Sequence, residues 1–271
     1  MVEPMQFVIT GSRNLYPWIP AAIHSLIEHN PNVKLWYFGE DDELPYKLPE
    51  QVEVVNVSGQ TIFNAENCAN WNTEYTYLSL IRSCYPLLFT GKPNGYGIRT
   101  LPHIDKIIQL DCDLVVLGDL RPVYDIDMGD AYFAMVDEVT GAYFPFGNKF
   151  PNGERKPYYN CGVCLFSLDN MRKDHIAEEE IEFLKSTKIQ CIDQDAHMYI
   201  CENHGYDKVL NLAGRYNETL VTSMSLRPVC VHYCAEKRWW EKFDDHYRGH
   251  YMERYSKYFQ AEACRRAGIK F

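Results

Sequence analysis

The stretch IIQLDCDLVV, Ile107 to Val116, sets two carboxylates one residue apart where an apolar strand runs out. Alternation along a strand sends Asp111 and Asp113 to one face and turns Cys112 the other way, into the packed side. Two hard oxygen donors side by side suit magnesium or manganese, which keep positions open for phosphate oxygens. Taken alone, the pair reads first as an ordinary strand-end turn, where Asp is common. The surrounding chain decides between these readings.

Upstream, Met5 to Thr10 reads as a first strand and Gly11 to Pro17 as a loop. Ile19 to His29 reads as a helix with Ile19, Ile23, Leu26 and Ile27 on one stripe. Strands from Val33 and Val52 follow, then a helix from about Glu74 to Phe89 bent at Pro86, then the strand entering Asp111. Downstream lie strand candidates from Ala131, Gly162, Lys208 and Pro228. An amphipathic helix spans Arg172 to Lys185, with the acidic run Glu178 to Glu180 as its solvated face. Strands alternating with helices predict an α/β fold, a mostly parallel mixed sheet covered on both faces. Ligands of such sheets gather at the carboxyl ends of strands, where the two Asp residues lie.

At 271 residues the chain is long enough for a sizeable core, and no Gly/Ser-rich linker or repeat divides it. Residues 1–240 read as one domain and 241–271 as a helical tail rich in charge, Tyr and Trp, for docking onto the domain or, alternatively, for peripheral membrane or partner contact. The net charge of −10 argues against a nucleic-acid partner, which needs clustered Lys and Arg. The N-terminus resembles neither a signal peptide nor a membrane anchor. Of the ten cysteines several, Cys112, Cys164 and Cys230, sit in apolar runs, and Cys161 and Cys164 lack a second zinc half-site. A reducing cytoplasm is the expected location, and the sequon Asn217-Glu218-Thr219 is then chance.

Four further segments carry polar groups toward the Asp pair. The strand PVCVHY delivers His232 at its end, and an imidazole added to two carboxylates favours manganese over calcium. Lys237 and Arg238 follow and can neutralise a diphosphate. In YYNCGVCLFSLDNMR, from Tyr158, Asn160 offers donor and acceptor to a hydroxyl-rich ligand, and Gly162 permits close backbone approach. Asp193, Gln194 and Asp195 open an apolar helix and exceed what capping requires. Arg82 has Leu78 and Tyr85 at helical spacing, so its guanidinium needs an anionic partner or must snorkel.

Together these segments resemble glycosyltransferase family 8, retaining enzymes with a GT-A fold that include bacterial galactosyl- and glucosyltransferases and the glycogenins. The resemblance runs in order from Phe7 to Trp240 and is strongest in LDCDLVV with Gly118-Asp119-Leu120, in Asn160-x-Gly162-Val163, in Asp193-Gln194-Asp195 and in the block from His232 to Trp240. It implies that Asp111, Asp113 and His232 hold manganese, with magnesium as the substitute, at the diphosphate of a UDP-hexose. It places Thr10, Asn14, Arg82, Cys112, Ala235, Lys237 and Arg238 on the donor. Asn160, Asp193 and Gln194 then line the donor sugar near its reacting carbon. Ala235 stands in place of a family Gly and Trp239 in place of a Pro, and the loop around Arg13 lacks the acidic residues often found near the base.

The resemblance implies transfer of a hexose, UDP-glucose or UDP-galactose being the expected donor, to the hydroxyl of a glycan, lipid-linked or protein acceptor. The segment Val139 to Tyr158, with aromatic residues among Gly and Pro, is a candidate acceptor site or lid, or else packs against the C-terminal tail. Competing readings are a noncatalytic nucleotide-sugar-binding protein, favoured by Ala235, and a self-glycosylating, glycogenin-like protein supplied with acceptor tyrosines. A nucleotidyltransferase is disfavoured, because no Gly-rich, Lys-containing phosphate loop follows the first strand.

Overall fold

A computed structural model describes residues 3–71, 73, 76–138, 145–219 and 227–234. The tail from 241 and the predicted phosphate partners Ala235, Lys237 and Arg238 lie outside the described residues.

The elements run β1 (Met5–Thr10), α1 (Ile19–His29), β2 (Val33–Gly39), β3 (Val52–Asn56), α2 (Tyr77–Ile81), α3 (Tyr85–Leu88), β4 (Lys106–Leu110), β5 (Leu114–Val116) and α4 (Arg121–Tyr124). They continue with β6 (Phe133–Asp137), β7 (Tyr159–Ser167), α5 (Leu168–Lys173), α6 (Ile176–Ser186), α7 (Ile192–His204), β8 (Val209–Asn211), β9 (Glu218–Thr219) and β10 (Cys230–His232). Seven strands form a sheet in the order β3-β2-β1-β4-β7-β6-β8. All neighbours pair parallel except β7, which runs antiparallel to both β4 and β6. A second sheet, β5-β10-β9, stands beside it.

Both faces of the large sheet are covered, which explains strands that read as nearly continuous apolar runs. Side chains alternate: Phe7, Ile9, Leu35, Tyr37 and Ile108 pack in one core with Ile19, Ile23 and Leu26 of α1. Val8, Trp36, Phe38 and Ile107 pack in the other with residues of α2, α3, α6 and α7. Each such fully buried side chain contributes about 1.5–3 kcal/mol. Pro20 near the start of α1 has its ring where no helical N–H is needed. Among the described residues, no helix is long and apolar enough to cross a membrane.

Three local expectations are corrected. The run from Ile107 is two strands in different sheets, and Asp111, Cys112 and Asp113 form the turn between them. Cys112 is partly exposed, packing only in part against the α1-side core. The helix expected to bend at Pro86 breaks earlier, into a 3-10 turn over Arg82–Cys84. The proline ring excludes the carbonyl four residues back, that of Arg82, so the ladder cannot run through. The expected helix from Arg172 to Lys185 is two helices hinged at His175, whose φ is 58°. Its acidic run is not a uniform solvated face: Glu180 is wholly buried, 2.7 Å from His197 Nδ1.

Candidate active site

Backbone hydrogen bonds seat the Asp111–Asp113 turn. The Asp111 N–H donates to Gly162 O at 2.9 Å, and the Tyr233 N–H donates to Asp113 O at 2.9 Å. The turn is thereby stitched to β7 on one side and to the end of β10 on the other. His232 Nε2 lies 3.3 Å from Asp111 Oδ2 and 3.3 Å from Asp113 Oδ1. One ligand atom from each of the three residues falls within 4.8 Å of the others. Two carboxylates and an imidazole so placed fit a divalent cation of the manganese or magnesium kind.

The orientation of His232 follows from a chain of amides. The Gly162 N–H donates to Asn160 Oδ1 at 2.9 Å, which fixes which end of that amide is oxygen. Asn217 Nδ2 donates to the same oxygen at 2.7 Å, so Asn217 Oδ1 must face the other way, 2.9 Å from His232 Nδ1. Nδ1 therefore carries the proton and Nε2 is turned to the two carboxylates, the usual arrangement around a metal-binding histidine. Burial opposes charge on this imidazole, but Cys234 and the Asp113 and Asp111 carboxylates outweigh it and hold its pKa above the ordinary histidine range. No sequence signal marked Asn217, which the sequon reading set aside. It is wholly buried and sits here only because β9 pairs with β10.

Arg82 finds the anionic partner its apolar setting required, twice over. Its guanidinium reaches Asp111 Oδ1 at 2.6 Å and Asp193 Oδ2 at 2.7 Å, while its Nε–H donates to Thr10 Oγ1 at 3.0 Å. Burial works against the charge on Arg82, and the two carboxylates overcome it, raising its pKa further. Burial alone would raise the Asp111 pKa; the Arg82 charge and His232 reverse this and hold the carboxyl well below the usual range. Asp193 Oδ2 also accepts from Cys161 Sγ at 3.4 Å.

At the start of α7 the polar side chains divide their work. Asp195 accepts the Cys191 N–H at 2.9 Å and the Gln190 N–H at 3.2 Å, together with Tyr158 OH at 2.7 Å. It ties the segment before α7 to the first turn of the helix, leaving Asp193 to Arg82 and Gln194 to Cys161 and Glu138. Gln194 Oε1 accepts the Cys161 N–H at 3.4 Å, and Gln194 Nε2 and Asn160 Nδ2 each lie 3.4 Å from Glu138 Oε2. Glu138, just past β6, was not a predicted site residue.

Thr10, Arg82, Asp111, Asp113, Asn160, Asp193, Gln194 and His232 thus form one connected cluster. Asn14 stands apart, exposed in the turn after β1 and bonded to Ser12 Oγ. Acidic groups reach that turn from the end of β2: Arg13 pairs with Asp41 at 2.7 Å, and its N–H donates to Glu40 at 2.8 Å. In the candidate lid, residues 139–144 lie outside the described residues. Phe146 packs on Phe183 of α6 and Tyr199 of α7, and Phe150 on Tyr206 in the 3-10 turn after α7.

The seven-strand mixed sheet flanked by helices is the GT-A glycosyltransferase fold, and solved structures share it. The apo form of glycosyltransferase GlyE from Streptococcus pneumoniae TIGR4 superposes with a TM-score of 0.65 at 17% identity, covering 100% of this chain and 65% of that one. Galactosyltransferase LgtC, solved with donor and acceptor sugar analogues, gives 0.64 at 17% identity, covering 95% and 96%. Residues 8–243 match the family described as Glycosyl transferase family 8, and the chain belongs to that family. A probable glycosyl transferase of Streptococcus gordonii is 23% identical over 234 residues, 82% of this chain and 30% of that protein. GlyE is 21% identical over 248 residues, 87% of this chain and 57% of GlyE. A putative glycosyltransferase of Haemophilus influenzae is 25% identical over 274 residues, 92% of this chain and 76% of that protein. The chain therefore spans 30% of the length of the first of these relatives and 57% of the second.

Proposed function

We propose that the protein transfers a hexose from a UDP-sugar to an acceptor hydroxyl with the anomeric configuration retained, using manganese or magnesium. The observation that carries this reading is the convergence of Asp111, Asp113 and His232 beside Asp193 and Gln194, two groups bridged by the single guanidinium of Arg82. The three ligands would hold the cation, which when bound supplies positive charge to the leaving diphosphate. The bond from the anomeric carbon to the phosphate oxygen breaks, its electron pair leaving with the diphosphate. The acceptor oxygen bonds the same carbon on the same face, and its proton passes to the departing phosphate. Retention by a covalent intermediate needs a free carboxylate nucleophile. The pairing of Asp193 with Arg82 makes it a poor one, and the Glu138 carboxylate is held by the Asn160 and Gln194 amides, which favours same-face attack with Gln194 and Asn160 orienting the sugar.

The nine cysteines among the described residues are all free thiols, in keeping with a reducing cytoplasm. The acceptor is a glycan, a lipid-linked sugar or a protein hydroxyl, and a membrane role for the tail belongs to the same proposal. The test is a panel of nucleotide sugars with manganese, scored for donor hydrolysis and transfer beside an Asp111→Ala/Asp113→Ala variant. Metal-dependent release of UDP that this variant abolishes is the expected result. Turnover that needs no metal and survives the double substitution refutes the reading.

A further inference from the structure

Glu138 is a carboxylate in the cluster without a cationic partner among the described residues. Arg82 is committed to Asp111 and Asp193, Arg155 is paired with Asp137, and Lys156 holds Glu202 at 2.7 Å. The undescribed connection that follows, Val139 to Phe144, contains no basic residue. Glu138 Oε2 instead collects two amide N–H groups, from Asn160 and Gln194, each at 3.4 Å. These are the two side chains assigned to the donor sugar, so the charge lies against the sugar, away from the diphosphate side where Arg82 and the cation site sit.

On the reading given under Proposed function, we infer that Glu138 makes the sugar pocket selective for a neutral hexose and excludes a hexuronate. A hexose brings hydroxyl donors, which a carboxylate oxygen accepts. A hexuronate brings a second carboxylate into a partly buried region where the like charge is poorly screened and, among the described residues, no unpaired guanidinium or ammonium stands beside Glu138 to receive it. Discrimination by an unfavourable contact of this kind acts against the wrong ligand and demands no extra contact to the right one. The amide network keeps the carboxylate in place: Asn160 is fixed by the Gly162 N–H and by Asn217, so its Nδ2 can only point toward Glu138.

The test measures binding of UDP, UDP-glucose, UDP-galactose, UDP-glucuronate and UDP-galacturonate by titration calorimetry with manganese present, alongside donor hydrolysis. Normalised to UDP, each uronate is expected to bind at least tenfold more weakly than its hexose. Glu138→Gln, which can still accept both amide N–H groups while losing the charge, should shift the uronate-to-hexose ratio at least tenfold toward the uronate in both binding and hydrolysis. Glu138→Asp, which keeps the charge, should retain the wild-type preference. Wild-type protein that takes uronates and hexoses alike overturns the inference and leaves the transferase reading standing. A Glu138→Gln protein in which all four donors weaken in proportion also overturns it, by reducing Glu138 to a structural support. Absence of binding to UDP and to every UDP-sugar removes the transferase reading itself.

Discussion

His232 Nδ1 lies 2.9 Å from Asn217 Oδ1, and this contact turns Nε2 toward Asp111 and Asp113. Asn217→Ala removes the acceptor and frees the ring to rotate. Manganese affinity should fall about 10–100-fold, the usual cost of losing a group that orients a ligand. Calorimetric titration of the variant with manganese checks this; unchanged affinity would show that packing alone orients the ring.

Gly162 has no room for a side chain. A Cβ there would overlap Cε1 and Nδ1 of His232 and come within 3.0 Å of Asn160 Oδ1. Gly162→Ala should destabilise the fold by about 1–3 kcal/mol, as overpacking does, and weaken manganese binding although every ligand is intact. Urea unfolding and metal titration on the same preparation separate the two effects.

Removing Arg82 strands two carboxylates, Asp111 and Asp193, in a buried setting. Arg82→Ala should cost about 3–5 kcal/mol in urea unfolding, the range for a broken buried pair. Arg82→Lys should recover only part of this, because one ammonium cannot reproduce a guanidinium fork that serves three partners. Full recovery by lysine would mean that charge, and not geometry, is what the site requires.

The Arg13 and Tyr16 hydrogen bonds hold the Asp41 carboxyl down at about 2. A folded-state pKa below the unfolded one gives a contribution that is complete above the unfolded value of about 4 and is lost as pH falls toward the folded one. The difference in melting temperature between wild type and Asp41→Asn should therefore be constant from pH 7 to pH 5 and close between pH 4 and pH 2. A difference that is the same at pH 2.5 as at pH 7 would assign the effect to something other than this pair.

Glu180 and His197 form a wholly buried pair whose outer atoms, Glu180 Oε2 and His197 Nε2, have no hydrogen-bond partner. Glu180→Ala leaves the imidazole unsatisfied at Nδ1 as well and should destabilise by about 1–3 kcal/mol in urea unfolding. Donor binding should be unchanged, since the pair lies in the core behind α7.

Much of this was readable from residue order. The Asp111–Asp113 turn, His232 at a strand end, and the surplus of polar groups before α7 all announced themselves through type and spacing. Gly162 was legible as a close approach, although only the fold shows that the approaching group is His232. Arg82 declared its need for an anion through its apolar neighbours. What sequence hid were partners set by pairing between distant strands. Asn217 carries no local mark and reaches His232 only because β9 lies along β10. Glu180 sat inside a run of three glutamates, where nothing local distinguishes the one that turns inward. The break before Pro86 was misplaced because a proline acts four residues upstream through the carbonyl it excludes.

The seam between the two sheets also makes the candidate metal centre depend on a distant return of the chain. The seven-strand sheet closes on residues up to Asn211, whereas the small sheet needs Cys230–His232 to return and pair with Leu114–Val116. Such long-range pairing is slow, since loop closure precedes any reward. The candidate metal centre is thus complete only when that return strand has paired. A protein stopped before Cys230 would have no third ligand. A cation joining Asp111 and Asp113 to His232 would act as a latch on the final step, stabilising the closed form by about 2.7 kcal/mol at a hundred times its dissociation constant.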